Sequence, residues 1–241
     1  MVRSMSKRSR RYTDLESEID KNKEYYPEEA VEIVKKSANT KFDETVELHI
    51  RTNADPRHAD QNVRGVTVLP HGIGKQVRVL VFAQGEAASI AEESGADFVG
   101  NDELIAKVDK GWTDFEVSIS TPDMMSKVGK LGKVLGRKGL MPNPRTGTVV
   151  NQDNIAKSIE EAKKGRVEFK LDRTSLIHVP IGKASFSETQ LVENLNSLVG
   201  EIVKSKPSGI KGQFIKTMYL TTTMGPSLRL DIANTTSQDQ T

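Results

Sequence analysis

The densest polar cluster in the sequence is Asp55-Pro56-Arg57-His58-Ala59-Asp60-Gln61-Asn62. Its carboxylates, histidine and amides could hold a divalent metal in a hydrolase- or nuclease-like site. The same density of Pro, Asp and Asn is what a turn needs, with Arg57 or Asp60 in an ion pair. The four histidines (His49, His58, His71, His178) are too scattered to spell a metal motif. Gly72-Ile73-Gly74-Lys75 and the stretch from Gly129 to Gly139 match neither the phosphate loop of nucleotide hydrolases nor the dinucleotide fingerprint, because the glycine intervals are wrong. No cysteine is present, which excludes disulfides, thiol nucleophiles and cysteine-based metal sites. Catalytic chemistry is therefore thin, and neither cofactor nor metal is expected.

Binding chemistry is better represented. The net charge is only +2, but the charges are segregated. Residues 14–32 hold eight acids against two lysines, while residues 126–147 hold six bases and no acid, and residues 203–216 four lysines and no acid. Basic patches of this kind, rather than the total, are the electrostatic footprint of a polyanion partner. In the first patch Gly129, Gly132, Gly136 and Gly139 alternate with Lys130, Lys133, Arg137 and Lys138. Glycines let a backbone approach a polyanion closely, and Pro142 and Pro144 stiffen the exit. Each glycine costs ~1 kcal/mol in a helix interior, so four of them predict a partly irregular loop. The alternative is a packed loop whose lysines are merely solvated.

The elements that must position these residues fall into two kinds. In residues 44–52 Val46, Leu48 and Ile50 alternate with Thr45, Glu47, His49 and Arg51, the pattern of a half-buried antiparallel strand. Residues 166–172 and 227–232 repeat it, and all three are expected in one sheet. Ser187 and Gln190 form a capping box before a helix ended by Pro207 and Gly209, and Pro27 starts another. The middle reads differently. Val77–Ala83 is almost continuously apolar, and strand-like 97–99 and 115–120 alternate with helical 86–94 and 102–108, then a helix capped by Thr121 with Pro122 at its first position. Strands alternating with helices imply a buried parallel sheet.

The expected fold class is thus α/β and α+β in two domains. An α+β domain with an antiparallel, split βαβ sheet uses both chain ends, 1–70 plus 156–241, and a doubly wound, Rossmann-like α/β domain is inserted at 71–155. Length agrees, since 241 residues exceed the ~150 of one average domain. The longest apolar run, Val79–Ala83, is five residues, far below the ~20 of a membrane helix. The basic start (Arg3, Lys7, Arg8, Arg10, Arg11) lacks the apolar core of a secretory signal; it also fits a short organellar transit peptide, but a cytoplasmic chain is expected. Disorder is expected only after Asn234.

Gly129-Lys130-Leu131-Gly132-Lys133-Val134-Leu135-Gly136 followed by Gly139-Leu140-Met141-Pro142-Asn143-Pro144-Arg145-Thr146-Gly147-Thr148-Val149 resembles the signature of the large-subunit ribosomal protein L-one family, departing from it at Arg137-Lys138, where a proline-arginine pair is common. Residues 41–47, 55–65, 69–77 and 221–227 are similar to that family as well. The resemblance implies a non-enzymatic protein of the mobile stalk beside the tRNA exit site. It would bind large-subunit (23S) rRNA, act in release of exit-site tRNA, and repress its own operon messenger, as a monomer when free. It implies the same two-domain arrangement, with the terminal domain supplying the RNA surface. That role falls on Lys41, Phe42, Thr45, Ser208, Lys211, Thr223, Met224 and Gly225, with secondary RNA or tRNA contacts at Lys130, Lys133, Arg137 and Lys138. Structured RNA is met largely through shape and 2′-hydroxyls, which suits Phe42, Thr45, Thr223 and Gly225. Equally, Phe42 fits a core, Met224 an apolar edge and Gly225-Pro226 a plain hairpin turn.

Overall fold

The structure, a computed structural model, describes residues 8–237. It divides into two compact units, one formed by the chain up to Gly74 and again from Val167, the other by Lys75–Arg166. Arg3 and Lys7 of the basic start, and the end of the tail from residue 238, lie outside the described residues.

In the terminal unit the first stretch holds α1 (Arg10–Ser17), α2 (Pro27–Ser37), β1 (Thr45–Thr52) and β2 (Arg64–Val68). Pro27 opens α2, whose Ala30, Val31 and Val34 are buried. Helix α1 carries no buried residue, so no apolar stripe announces it in the sequence.

The middle unit follows with β3 (Val79–Phe82), α3 (Glu86–Glu93), β4 (Phe98–Gly100), α4 (Asp102–Asp109), β5 (Val117–Ser120), α5 (Met125–Val128), α6 (Gly132–Lys138) and α7 (Ile155–Lys163). Its three strands are parallel in the order β4-β3-β5. Successive β3 residues feed opposite cores. Val79 and Val81 pack with Ala87 and Ala91 of α3 and Ile155 and Ile159 of α7, while Leu80 and Phe82 pack with Leu104 and Val108 of α4 and Leu131 and Leu135. Both faces are covered, which makes the sheet doubly wound. The packing of α7 explains why this unit extends to Arg166: its Ile155, Ile159 and Ala162 belong to the α/β core, so a boundary at 155/156 would remove one of that sheet's covering helices.

The terminal unit resumes with β6 (Arg166–Lys170), β7 (Leu176–Lys183), α8 (Glu188–Lys204), β8 (Ile215–Thr222), β9 (Leu228–Leu230) and α9 (Ile232–Ser237). An antiparallel sheet runs in the order β7-β1-β8-β9. Val46, Leu48 and Ile50 point into a core with α2 and α8, where Leu191, Leu195 and Leu198 are buried. The capping box on α8 is complete: the Ser187 hydroxyl accepts from the Gln190 N–H, and the Gln190 side chain accepts from the Ser187 N–H.

Four expectations are corrected. Strand β6 pairs with β2 in a separate two-stranded sheet rather than joining β1 and β9. The alternation at the C-terminus ends at Leu230, and α9 begins at Ile232, with Asp231 accepting from the Asn234 N–H. Thr121 precedes its helical turn in extended backbone, but its side chain makes no capping bond. The glycine stretch is helical rather than irregular: a 3-10 turn at Pro122–Met124, α5, a second 3-10 turn at Gly129–Leu131 and α6 follow one another until Gly139, which stops them in the left-handed conformation.

Candidate nucleic-acid interface

The antiparallel register brings two distant segments together. Val46 of β1 pairs with Thr222 of β8, so the chain entering β1 lies beside the chain leaving β8. Thr223 N–H donates to the Thr45 carbonyl at 3.0 Å, and the Thr45 N–H donates back to the Thr223 hydroxyl at 3.0 Å. On the other flank Thr45 pairs with Lys183 of β7, whose ammonium donates to the Thr45 hydroxyl at 2.8 Å. Lys41, Phe42, Thr45, Thr223, Met224 and Gly225 thus share one end of the sheet.

Two large apolar side chains stand in solvent here, Phe42 at 54% exposure and Met224 at 49%, where a core or edge-covering role would bury them. The backbone of Met224 is held on both sides: its N–H donates to Glu44 Oε2 at 3.0 Å, and its carbonyl accepts from Arg11 at 2.7 Å. Burial pushes the Glu44 carboxyl up, but hydrogen bonding from the Met224 N–H, Thr222 and Thr40 outweighs it, and the net direction is down. Gly225 is required by space. A Cβ there would collide with Thr222 Oγ1 and stand 3.1 Å from Ser37 Oγ. Exposed flat and soft apolar groups, hydroxyls and lysines around a fixed turn are equipped to meet riboses, bases and phosphates.

Ser208 and Lys211 are not part of this cluster. They are exposed in the loop before β8, whose first residue Ile215 pairs with Thr52 at the far end of β1. Eight residues of strand separate the two places by roughly 23 Å. Between them runs a solvent-facing row that the sequence reading missed. His49 is flanked by His178 on β7 and Tyr219 on β8, and Tyr219 pairs with Arg229 on β9. The His49 and His178 Nδ1 atoms are 2.7 Å apart, so histidines that looked scattered are in fact a cross-strand pair. Burial first, and then His178, holds the His49 imidazole below its usual range, against an opposing effect of Glu47.

In the middle unit Lys130, Lys133, Arg137 and Lys138 are exposed, with Lys138 donating to the Thr113 hydroxyl. A Cβ at Gly129, Gly132 or Gly136 would meet nothing within 4 Å, so no packing demands these glycines. The basic stretch presents a helical surface bare of side chains along part of its length.

The polar cluster at Asp55 closes on itself. Asp55 Oδ1 accepts from the Arg57 N–H at 2.9 Å, the Gln61 side chain accepts from the Asp55 N–H at 2.9 Å, and Ala59–Gln61 make a 3-10 turn. His58 Nε2 lies 3.9 Å from Asp55 Oδ2, and among the described residues neither Arg57 nor Asp60 is in an ion pair. Among the described residues no group of three or more His, Asp or Glu could hold a metal. The other glycine stretch is also structural: Asn194 of α8, wholly buried, accepts from the His71 N–H and donates to the Gly72 carbonyl, and Gly74 is left-handed against Lys183 and Phe186. Among the described residues no helix is long and apolar enough to cross a membrane.

Residues 34–226 match the family model described as the ribosomal protein L1p/L10e family. The chain is 58% identical over 228 residues to large ribosomal subunit protein uL1 of Dehalococcoides mccartyi strain 195, covering 95% of this chain and 96% of that protein. The protein of the same name from strain CBDB1 is 59% identical over 223 residues, covering 92% and 94%. That of Thermomicrobium roseum is 53% identical over 235 residues, covering 97% and 98%. A match spanning both units at this identity shows that the chain belongs to the ribosomal protein L1p/L10e family, a family of structural ribosomal proteins and not of enzymes.

Proposed function

We propose that this chain is a structural protein of the large ribosomal subunit that binds 23S rRNA of the mobile stalk directly. Contact is made through Lys41, Phe42, Thr45, Thr223, Met224 and Gly225, and a second line of contact runs along the sheet to Ser208 and Lys211. The observation that carries this reading is the pair of exposed apolar side chains, Phe42 and Met224, beside the locked Thr45–Thr223 turn. Large apolar groups held out in solvent on a fixed frame mark a binding surface. The chain is a monomer when free and works in the cytoplasm on the ribosome.

The bare, basic helical surface of the middle unit makes secondary contacts, to exit-site tRNA or neighbouring RNA, through Lys130, Lys133, Arg137 and Lys138. Through these the protein takes part in releasing tRNA. The same terminal surface binds the chain's own operon messenger and represses its translation.

Titration with protein-free large-subunit rRNA and with an unrelated duplex RNA, at one salt concentration, tests the reading. Specific, metal-independent binding to the rRNA is expected, weakening as salt is raised because bound phosphates release counterions. Equal affinity for both RNAs would overturn it.

A further inference from the structure

We propose that Glu44 is a positioning residue for RNA recognition, fixing the Thr223–Gly225 turn against the Lys41–Thr45 segment in the shape that the RNA meets. The proposal rests on the RNA-binding reading above and adds a residue that does not itself touch RNA.

Glu44 is 1% exposed, although its neighbours Asp43 and Phe42 are in solvent. Its backbone carbonyl accepts from the Ala184 N–H at 2.9 Å, which anchors the residue to the end of β7. Its carboxylate then reaches under the turn, where Oε2 accepts from the Met224 N–H at 3.0 Å. Against burial, hydrogen bonding from Met224, Thr222 and Thr40 lowers its pKa, and among the described residues no lysine or arginine forms an ion pair with it. A buried charge outside an ion pair is expensive, and a neutral or apolar residue of the same volume would cost the fold less. What the charge supplies is a strong acceptor for the Met224 N–H across the site.

The alternative partners are few. Glu44 Oε1 and Thr222 Oγ1 are both buried without a well-formed hydrogen bond. The Glu44–Met224 bond is accordingly the one well-formed side-chain link from this carboxylate to the turn. Arg11 donates to the Met224 carbonyl, so the exposed thioether is presented on a residue whose two flanking peptide groups are both held. Glutamine in place of Glu44 keeps the volume but turns an N–H donor toward one of these donors, and the turn loses its fixed seat.

The test is Glu44→Gln in the full chain, with protein-free large-subunit rRNA and unrelated duplex RNA as probes. Loss of one charge-assisted hydrogen bond corresponds to an affinity drop of about tenfold or more for the rRNA, with the duplex unmoved. The Met224 amide resonance of the free protein should shift upfield and its hydrogen exchange should quicken, while the amides at the His49–His178 pairing stay as they are. In a Thr223→Val background the same change should cost markedly less, because both act through one turn. Should Glu44→Gln fail to fold, Thr40→Val weakens the same carboxylate's environment and should give a smaller loss in the same direction.

Wild-type affinity with an unmoved Met224 amide overturns the role of Glu44. So does wild-type affinity with a mobile one, and so does a full loss in the Thr223→Val background. Absence of rRNA preference in the wild type, or Thr223→Val binding rRNA as tightly as wild type, refutes the functional reading instead.

Discussion

Thr45 and Thr223 hold each other by two hydrogen bonds of 3.0 Å, one between backbones and one from the Thr45 N–H to the Thr223 hydroxyl. The hydroxyl therefore has a structural duty, and it donates in turn to the Thr45 carbonyl over 3.4 Å, a long bond that an RNA acceptor could replace. Thr223→Val strands the Thr45 N–H and removes that donor. It should lower stability by ~1 kcal/mol, measured by urea unfolding, and reduce rRNA affinity by a further ~1 to 3 kcal/mol with little change for duplex RNA. A stability loss with unchanged rRNA affinity would contradict the functional reading and leave Thr223 a hinge pin only.

Gly225 is governed by space and not by a left-handed backbone, since its φ is not positive. The smallest added side chain meets Thr222 Oγ1, so Gly225→Ala must move the backbone of the turn or the Thr222 side chain. Overpacking of this kind costs ~1 to 3 kcal/mol. Thermal unfolding should show that loss, and rRNA titration a loss at least as large as for Thr223→Val.

Gly136 offers the opposite case. It lies inside α6 with open space around its missing Cβ, so Gly136→Ala should stabilise the middle unit by ~0.5 to 1 kcal/mol. If the bare surface admits RNA or tRNA backbone, the same change should weaken the secondary contact while primary rRNA binding is retained. Trp112, the one tryptophan of the chain, packs on Phe98 and Phe115 in this unit and reports its unfolding by fluorescence.

Much of the scaffold was legible because burial follows periodicity. Val46, Leu48 and Ile50 alternate in the sequence and are buried to 0% exposure. What alternation cannot supply is the partner strand, which is why the pattern of residues 166–172 places them in one sheet with β1 and β9 although β6 pairs with β2. The glycine penalty misled the reading of residues 122–138. Met124, Val128, Leu131 and Leu135 recur at helical spacing and bury against Leu80 and Phe82, and that gain outweighs ~1 kcal/mol per glycine. Of the site, Phe42 and Thr223–Gly225 came from resemblance, while Glu44, Lys183 and Arg11 join it only through long-range register, which no local pattern encodes. The same resemblance implies Ser208 and Lys211 for the RNA surface, and a strand's length lies between them and the turn.

Glu116 sets an acid limit on the middle unit. The Arg78 guanidinium foremost, and against some opposition from burial, with the Arg78 N–H and Lys75 adding to it, lowers its carboxyl from the usual 4.5 to about 2. A folded pKa below the unfolded one contributes stability that is present above about pH 4.5 and lost as pH falls toward 2. Trp112 fluorescence against urea at pH 7, 4 and 3 should show this decline, and Glu116→Gln should flatten it while lowering stability at pH 7.

The most direct test of the central claim is ultraviolet cross-linking of the full chain to protein-free large-subunit rRNA, with the linked residues mapped by mass spectrometry. Cross-links concentrated at Phe42 and Met224, with weaker ones in 130–138, are the predicted result. Cross-links confined to 130–138, or spread evenly over the surface lysines with none at Phe42 or Met224, would contradict it.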